Sequence, residues 1–228
     1  MNNQLILLLE TATTSCSVAL SENGKLIAVE ELNERNIHAS HITIFIDEVM
    51  NRTGKKYADL DAVAISKGPG SYTGLRIGVS TAKGLCFALD IPLLGINTLE
   101  AMAAGLIQQM DVPDSALLVP MIDARRMEVY TAILEKDLQV VETVNAKIVD
   151  ASSYDYYRNR ELFMFGDGAD KFKELFANQT NIRFVNFINS ASHLNSLACK
   201  KLAENDTENL AHFEPFYLKD FLLTKPSK

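Results

Sequence analysis

The hydrophobic pattern of this 228-residue chain repeats itself. A solid apolar run, Leu5-Ile6-Leu7-Leu8-Leu9, ends in the acid Glu10, and a small polar turn over residues 11–17 leads into Val18-Ala19-Leu20. Farther along, Leu117-Leu118-Val119-Pro120-Met121-Ile122 ends in Asp123, and a short turn leads into Val129-Tyr130-Thr131-Ala132-Ile133. A buried-type apolar run, a turn and a second run predict a β-hairpin. One hairpin opening each half predicts two related lobes that face one another across a cleft.

Between the hairpins the pattern alternates between periods of two and 3.6. A third strand is expected over 25–32. A helix follows over 36–50, with Ile42, Phe45, Ile46, Val49 and Met50 on one face. Next come a strand over 60–65, a glycine-rich turn from Ser66 to Gly74, a helix over 72–89, a strand over 91–96 and a helix over 98–110. The loop Asp111-Val112-Pro113-Asp114 divides the chain into expected lobes 1–112 and 113–228. The second half is less regular. A strand is expected near Lys147, another over 162–165, a helix from Gly166-Asp167-Gly168-Ala169 through Phe176, and a helix over 191–204. The tail carries Pro215-Phe216-Tyr217-Leu218. Strand clusters alternating with helices predict an α/β protein with mixed sheets.

Composition narrows the function. The chain is 47% hydrophobic and 22% charged, as a globular protein is, and its net charge is −7. That balance argues against a stand-alone nucleic-acid binder. It leaves room for a complex in which another subunit holds the nucleic acid. Cys16, Cys86 and Cys199 are widely spaced, which points to a reducing compartment. The first apolar run is too short for a signal peptide or a membrane span, so a soluble, cytoplasmic protein with no membrane attachment is expected.

Three stretches carry candidate chemistry. Glu10 and Asp123 stand at strand ends, where opposed carboxylates suit a hydrated magnesium ion with nucleotide phosphates. The alternative is that each acid hydrogen-bonds its own turn. Gly68-Pro69-Gly70-Ser71 joins a strand to a helix N-terminus, a place that attracts anions, although its spacing is neither a Walker loop nor GxGxxG. The alternative is a tight connection capped by Ser71 or Thr73. The helix that follows contains Gly74, Gly78 and Gly84, each costing about 1 kcal/mol relative to alanine. Gly74, Gly78 and Ala82 form a flat stripe that another backbone can approach, either internally or from a second chain. As a partner surface, the two helices would present Ile42, Phe45, Ile46 and Val49 together with Tyr72, Leu75, Gly78 and Ala82; the alternative is that both stripes face the chain's own sheet. His38 and His41 are read as a surface helix face rather than half a metal site.

Together, Leu9-Glu10-Thr11-Ala12-Thr13, the run Lys67-Gly68-Pro69-Gly70-Ser71-Tyr72-Thr73-Gly74-Leu75-Arg76-Ile77-Gly78, Ile122-Asp123-Ala124-Arg125-Arg126-Met127-Glu128-Val129-Tyr130 and Glu214-Pro215-Phe216-Tyr217-Leu218-Lys219 resemble the TsaB (YeaZ) family. That family is needed to make threonylcarbamoyladenosine in tRNA. Met127 stands where a glycine is common. The resemblance implies an actin-like, Hsp70-like fold of two ribonuclease-H-like lobes. It implies a scaffold and activator, not itself an enzyme, that pairs with the transferase TsaD and the ATPase TsaE, forms a homodimer in isolation and meets tRNA only through the complex. In the sister TsaD, two metal-binding histidines fall on positions matched here by Thr98 and Met102, so no metal site is expected. A vestigial or shared nucleotide cleft would involve Glu10, Thr11, Gly68, Gly70, Asp123 and Arg125, with ATP or ADP and magnesium held weakly at an interface. The rival readings are an ATP-dependent phosphotransferase of the same fold and a glycoprotease-like peptidase.

Overall fold

Each half of the chain folds its apolar runs into a five-stranded sheet, and the two sheets share one strand order. The computed structural model describes residues 4–219. The first half gives β1 (Leu5–Glu10), β2 (Ser15–Glu22), β3 (Lys25–Asn33), α1 (His38–Thr53), β4 (Ala62–Gly68), α2 (Tyr72–Leu89), β5 (Leu93–Asn97) and α3 (Thr98–Gln109). The second half gives β6 (Leu117–Asp123), β7 (Glu128–Glu135), β8 (Val140–Ile148), β9 (Leu162–Phe165), β10 (Ile182–Val185) and α4 (Asn195–Ala203). The sheets run β3-β2-β1-β4-β5 and β10-β9-β6-β7-β8. In each, a meander of three antiparallel strands is extended by two parallel ones. This is a duplicated α/β architecture of two mixed sheets.

The unbroken apolar run of β1 follows from burial on both faces. Leu5, Leu7 and Leu9 pack under α1 and α2. Ile6 and Leu8 face the opposite layer, which is built from Ala191, Leu194 and Ala198. The helices thus cross between the halves. Residues 191–203 of the second half cover the first sheet, while Leu99, Met102, Ala103 and Leu106 of α3 pack on Leu118, Ile122 and Phe163 of the second. The far face of the second sheet is closed by Tyr154, Phe172 and Phe176.

Local signals explain most boundaries. Gly54, at φ 68° and with its amide bonded to Asn51 O, ends α1 at Thr53, three residues past the expected last helical residue, Met50. Asn97 caps α3, its side chain accepting from Leu99 and Glu100 amides. The helix expected through Phe176 is absent. A single 3₁₀ turn, Asp170–Phe172, stands there among other turns. Phe172 and Phe176 are buried while Leu175 is partly exposed, so one short apolar face anchors the segment without repaying the nucleation of a longer helix. No described helix is long and apolar enough to cross a membrane.

Candidate functional site

The β1–β2 turn begins where the first apolar run meets Glu10. Both faces of β1 are covered, so Glu10 is only 1% exposed. Its Oε1 accepts from the Ala12 amide at 2.6 Å and closes its own turn. Burial raises its pKa from 4.5 to about 7, against the Ala12 amide, the Ser66 hydroxyl and the Thr11 amide, which pull it down. Burial and then the charge of Glu10 push the Cys16 thiol up to about 11, the opposite of an activated nucleophile.

The glycine run meets this turn directly. The Ser71 amide donates to Ala12 O at 2.6 Å, and the Gly74 amide donates to Ser71 Oγ at 3.3 Å, the N-cap of α2. The Gly68 amide donates to Thr98 Oγ1 at 3.2 Å. A Cβ on Gly70 would lie 2.7 Å from that of Ala12, and one on Gly74 would overlap Thr11 O. One on Gly78 would overlap the Thr11 side chain and lie 2.9 Å from Ile65 Cδ1. The glycines of α2 therefore receive the β1–β2 turn. The tight, capped connection describes this loop.

The same geometry corrects the expected partner surface. Ile42, Phe45, Ile46 and Val49 of α1 and Leu75, Gly78 and Ala82 of α2 are buried within the chain. The α1 stripe packs in the core of the first sheet, and α2 turns Gly74 and Gly78 onto Thr11. Tyr72 alone of that set is half-buried at the rim. The large apolar side chains that α1 and α2 leave outside are Ile44 and Phe87, 49% and 82% exposed; Gly84 also lies outside, and its missing Cβ would meet no atom within 4 Å. His38 is also buried, its Nε2 lying 3.2 Å from Ser15 O, rather than on a surface face.

The β6–β7 turn occupies the equivalent place in the second sheet. Here Asp123 is exposed, and its Oδ1 accepts from Lys171 Nζ at 2.6 Å and from the Arg125 amide at 3.1 Å. Its own amide donates to Asp167 Oδ1 at 3.0 Å. Arg125 and Arg126 are exposed and left-handed, at φ 71° and 51°. Met127 lies outside that region, so the turn closes without a glycine there.

Glu10, Thr11 and Gly70 thus belong to one joint, and Asp123 with Arg125 to another. The tail spans the two walls: Pro69, Gly70 and Tyr72 on one side and Tyr130 on the other line a cavity of about 40 Å³ with Phe216, Tyr217, Leu218 and Lys219. The aromatic residues of that tail were the available signal in the sequence. His193 was missed. It packs where a Cβ on Gly105 would be, and burial lowers its pKa from 6.5 to about 4.

Comparison with known proteins now adds to this geometry. A family model described as TsaD, tRNA N6-adenosine threonylcarbamoyltransferase, matches residues 30–225. The tRNA threonylcarbamoyladenosine biosynthesis protein TsaB of Escherichia coli is 30% identical over 94% of this chain and 94% of its own length. The protein of the same name from Haemophilus influenzae is 30% identical over 96% and 95%. The solved structure of YeaZ from Pseudomonas aeruginosa superposes with a TM-score of 0.82 at 23% identity, covering 94% of this chain and 100% of that one. With the duplicated sheets and the glycine-on-turn joint in place, the chain belongs to the TsaB (YeaZ) family of tRNA threonylcarbamoyladenosine biosynthesis proteins.

Proposed function

We propose that the chain is a non-catalytic scaffold and activator of a TsaD-type transferase, acting in the cytoplasm on tRNA that the complex, rather than this subunit, holds. The observation that carries this reading is the use made of Thr98 and Met102, the positions that the sister's metal-binding histidines match by resemblance. Thr98 is buried and accepts the Gly68 amide. Met102 is buried in the α3 core, with its methyl where a Cβ on Gly166 would be. Neither side chain offers a metal the nitrogen ligand it would need there.

The outer face of α1 and α2 is the proposed docking surface. The two helices pack side by side, and Phe87, largely exposed, is the kind of aromatic anchor on which interfaces concentrate their energy. Gly84 costs α2 about 1 kcal/mol with no internal neighbour to offset it. A transferase subunit or a second copy closing on that face would supply one. An ATPase subunit of the TsaE type joins the same assembly. Any ATP or ADP with magnesium is held weakly and at a shared interface, because Glu10 faces inward and the Ser71 amide is committed to Ala12. The same two facts weigh against the phosphotransferase reading.

Reconstituted modification tests the proposal. The chain alone transfers no threonylcarbamoyl group to tRNA, and adding it to a TsaD-type subunit and a TsaE-type subunit raises transfer at least tenfold. Transfer by the isolated chain, or no stimulation of the other subunits, contradicts it.

A further inference from the structure

The tail after α4 runs back across the molecule. It returns to the first sheet, where the Glu208 amide donates to Leu93 O at 2.9 Å and Phe213 is buried with its ring against Gly95 of β5. Lys83 Nζ donates to Phe213 O at 2.9 Å. These contacts anchor it. Beyond them the chain crosses the ends of the parallel strands. The Phe216 amide donates to Lys67 O at 2.7 Å. The Phe216 carbonyl lies against Gly68, which at φ 117° has no side chain to obstruct it.

The grip then passes to side chains. The Tyr217 ring lies 4.9 Å from that of Tyr72, and Tyr217 Oη accepts from Arg76 Nε at 3.3 Å. The Arg76 guanidinium stands 4.1 Å above the Tyr72 ring. Lys219 forms an ion pair with Glu128, the first residue of β7. Residues 214–219 therefore hold the start of α2 with one contact set and the second hairpin with another. Beneath them lies the small cavity between Gly70 and Tyr130.

We propose that residues 214–219 are a releasable clasp between the start of α2 and the β6–β7 hairpin, pinned at Phe213 and opened by letting go of Tyr72, Arg76 and Glu128. The anchor is buried and apolar. The grip is made of a partly exposed aromatic pair, a cation over a ring and a partly exposed ion pair, contacts that are individually weak in water. Opening therefore releases Lys219, Tyr217 and Phe216 while the fold stays intact. It uncovers the space lined by Pro69, Gly70, Tyr72 and Tyr130, and frees the two walls to separate. Salt weakens the Lys219 end first.

Hydrogen exchange of the intact chain, resolved by peptide, tests the clasp without any partner, so it stands or falls independently of the scaffold reading. Tyr217→Ala and Lys219→Glu remove one grip each and leave Phe213 in place. In the wild type, peptides spanning 214–218 carry the protected Phe216 amide, bonded to Lys67 O. In either variant their exchange rises about tenfold, and exchange in the 68–72 loop and at 126–130 rises with it, while β1 and β6 stay as protected as before. Unchanged exchange in both variants overturns the proposal, as does acceleration confined to 214–219 with both walls unaltered, which would make the segment a frayed end. Should one variant unfold, shown by lost protection in β1, the other carries the test.

Discussion

The two hairpins that open the halves of the chain hold equivalent places in sheets of the same order, and they have opposite environments. At the first, α2 descends on the turn through Gly74 and Gly78, and Glu10 is sealed in and hydrogen-bonded to Ala12. At the second, the turn is open to solvent, Asp123 pairs with Lys171, and two arginines stand in left-handed conformations. Strand order was duplicated while the covering layer was not. An acid at a strand end is a ligand candidate only where no other element occupies the space in front of it, and at Glu10 one does.

The sharpest way to break this contrast is to fill the first joint. Gly78→Leu drives a side chain into Thr11 and Ile65, and should cost about 3 kcal/mol or more, since the obstacle is packed structure that cannot swing aside. Urea unfolding measures it, and wild-type stability in this variant would mean the joint is loose. Next in size is the titration of Glu10. Its folded pKa of about 7 exceeds the ordinary 4.5, so the folded state carries a penalty that is full above pH 7 and relieved as pH falls toward 4.5. Glu10→Gln removes that dependence. Between pH 5 and pH 8 the variant should gain roughly 2–3 kcal/mol on the wild type, whereas parallel stability curves would place the carboxyl in water. Asp123→Asn is the control at the second hairpin, with a change within about 1 kcal/mol for a partly exposed pair. Smallest is Arg125→Gly, which relieves a left-handed arginine and should stabilise by about 0.5–1 kcal/mol. A loss there would show that the arginine side chain holds the turn.

The duplicated hairpins and the α2 boundaries were legible in the sequence because they rest on local signals: solid apolar runs, an acid at each end, Ser71 before a helix. What was not legible depends on which surface meets which. Helical spacing in α1 and α2 marks one apolar side, and both a core and an interface need that; only the position of Thr11 tells that Gly74 and Gly78 are used internally. The crossing of α3 onto the second sheet and of residues 191–203 onto the first leaves no periodic trace. Nor does the tail, whose partners Lys67, Tyr72 and Glu128 are far from it along the chain. The helix expected through Phe176 is a 3₁₀ turn at Asp170–Phe172 instead, with Phe172 and Phe176 both buried.

With the glycine stripe used internally, the docking surface we propose is the outer face of α1 and α2, where Phe87 is 82% exposed. The most direct measurement is stimulation of tRNA threonylcarbamoylation by Phe87→Glu in the reconstituted system, with its melting temperature recorded alongside. The expected result is a loss of stimulation of about 30-fold, as for an aromatic interface anchor, with melting unchanged within about 2 °C, as for an exposed position. Full stimulation by a folded Phe87→Glu protein would contradict the assignment of that face to the partner.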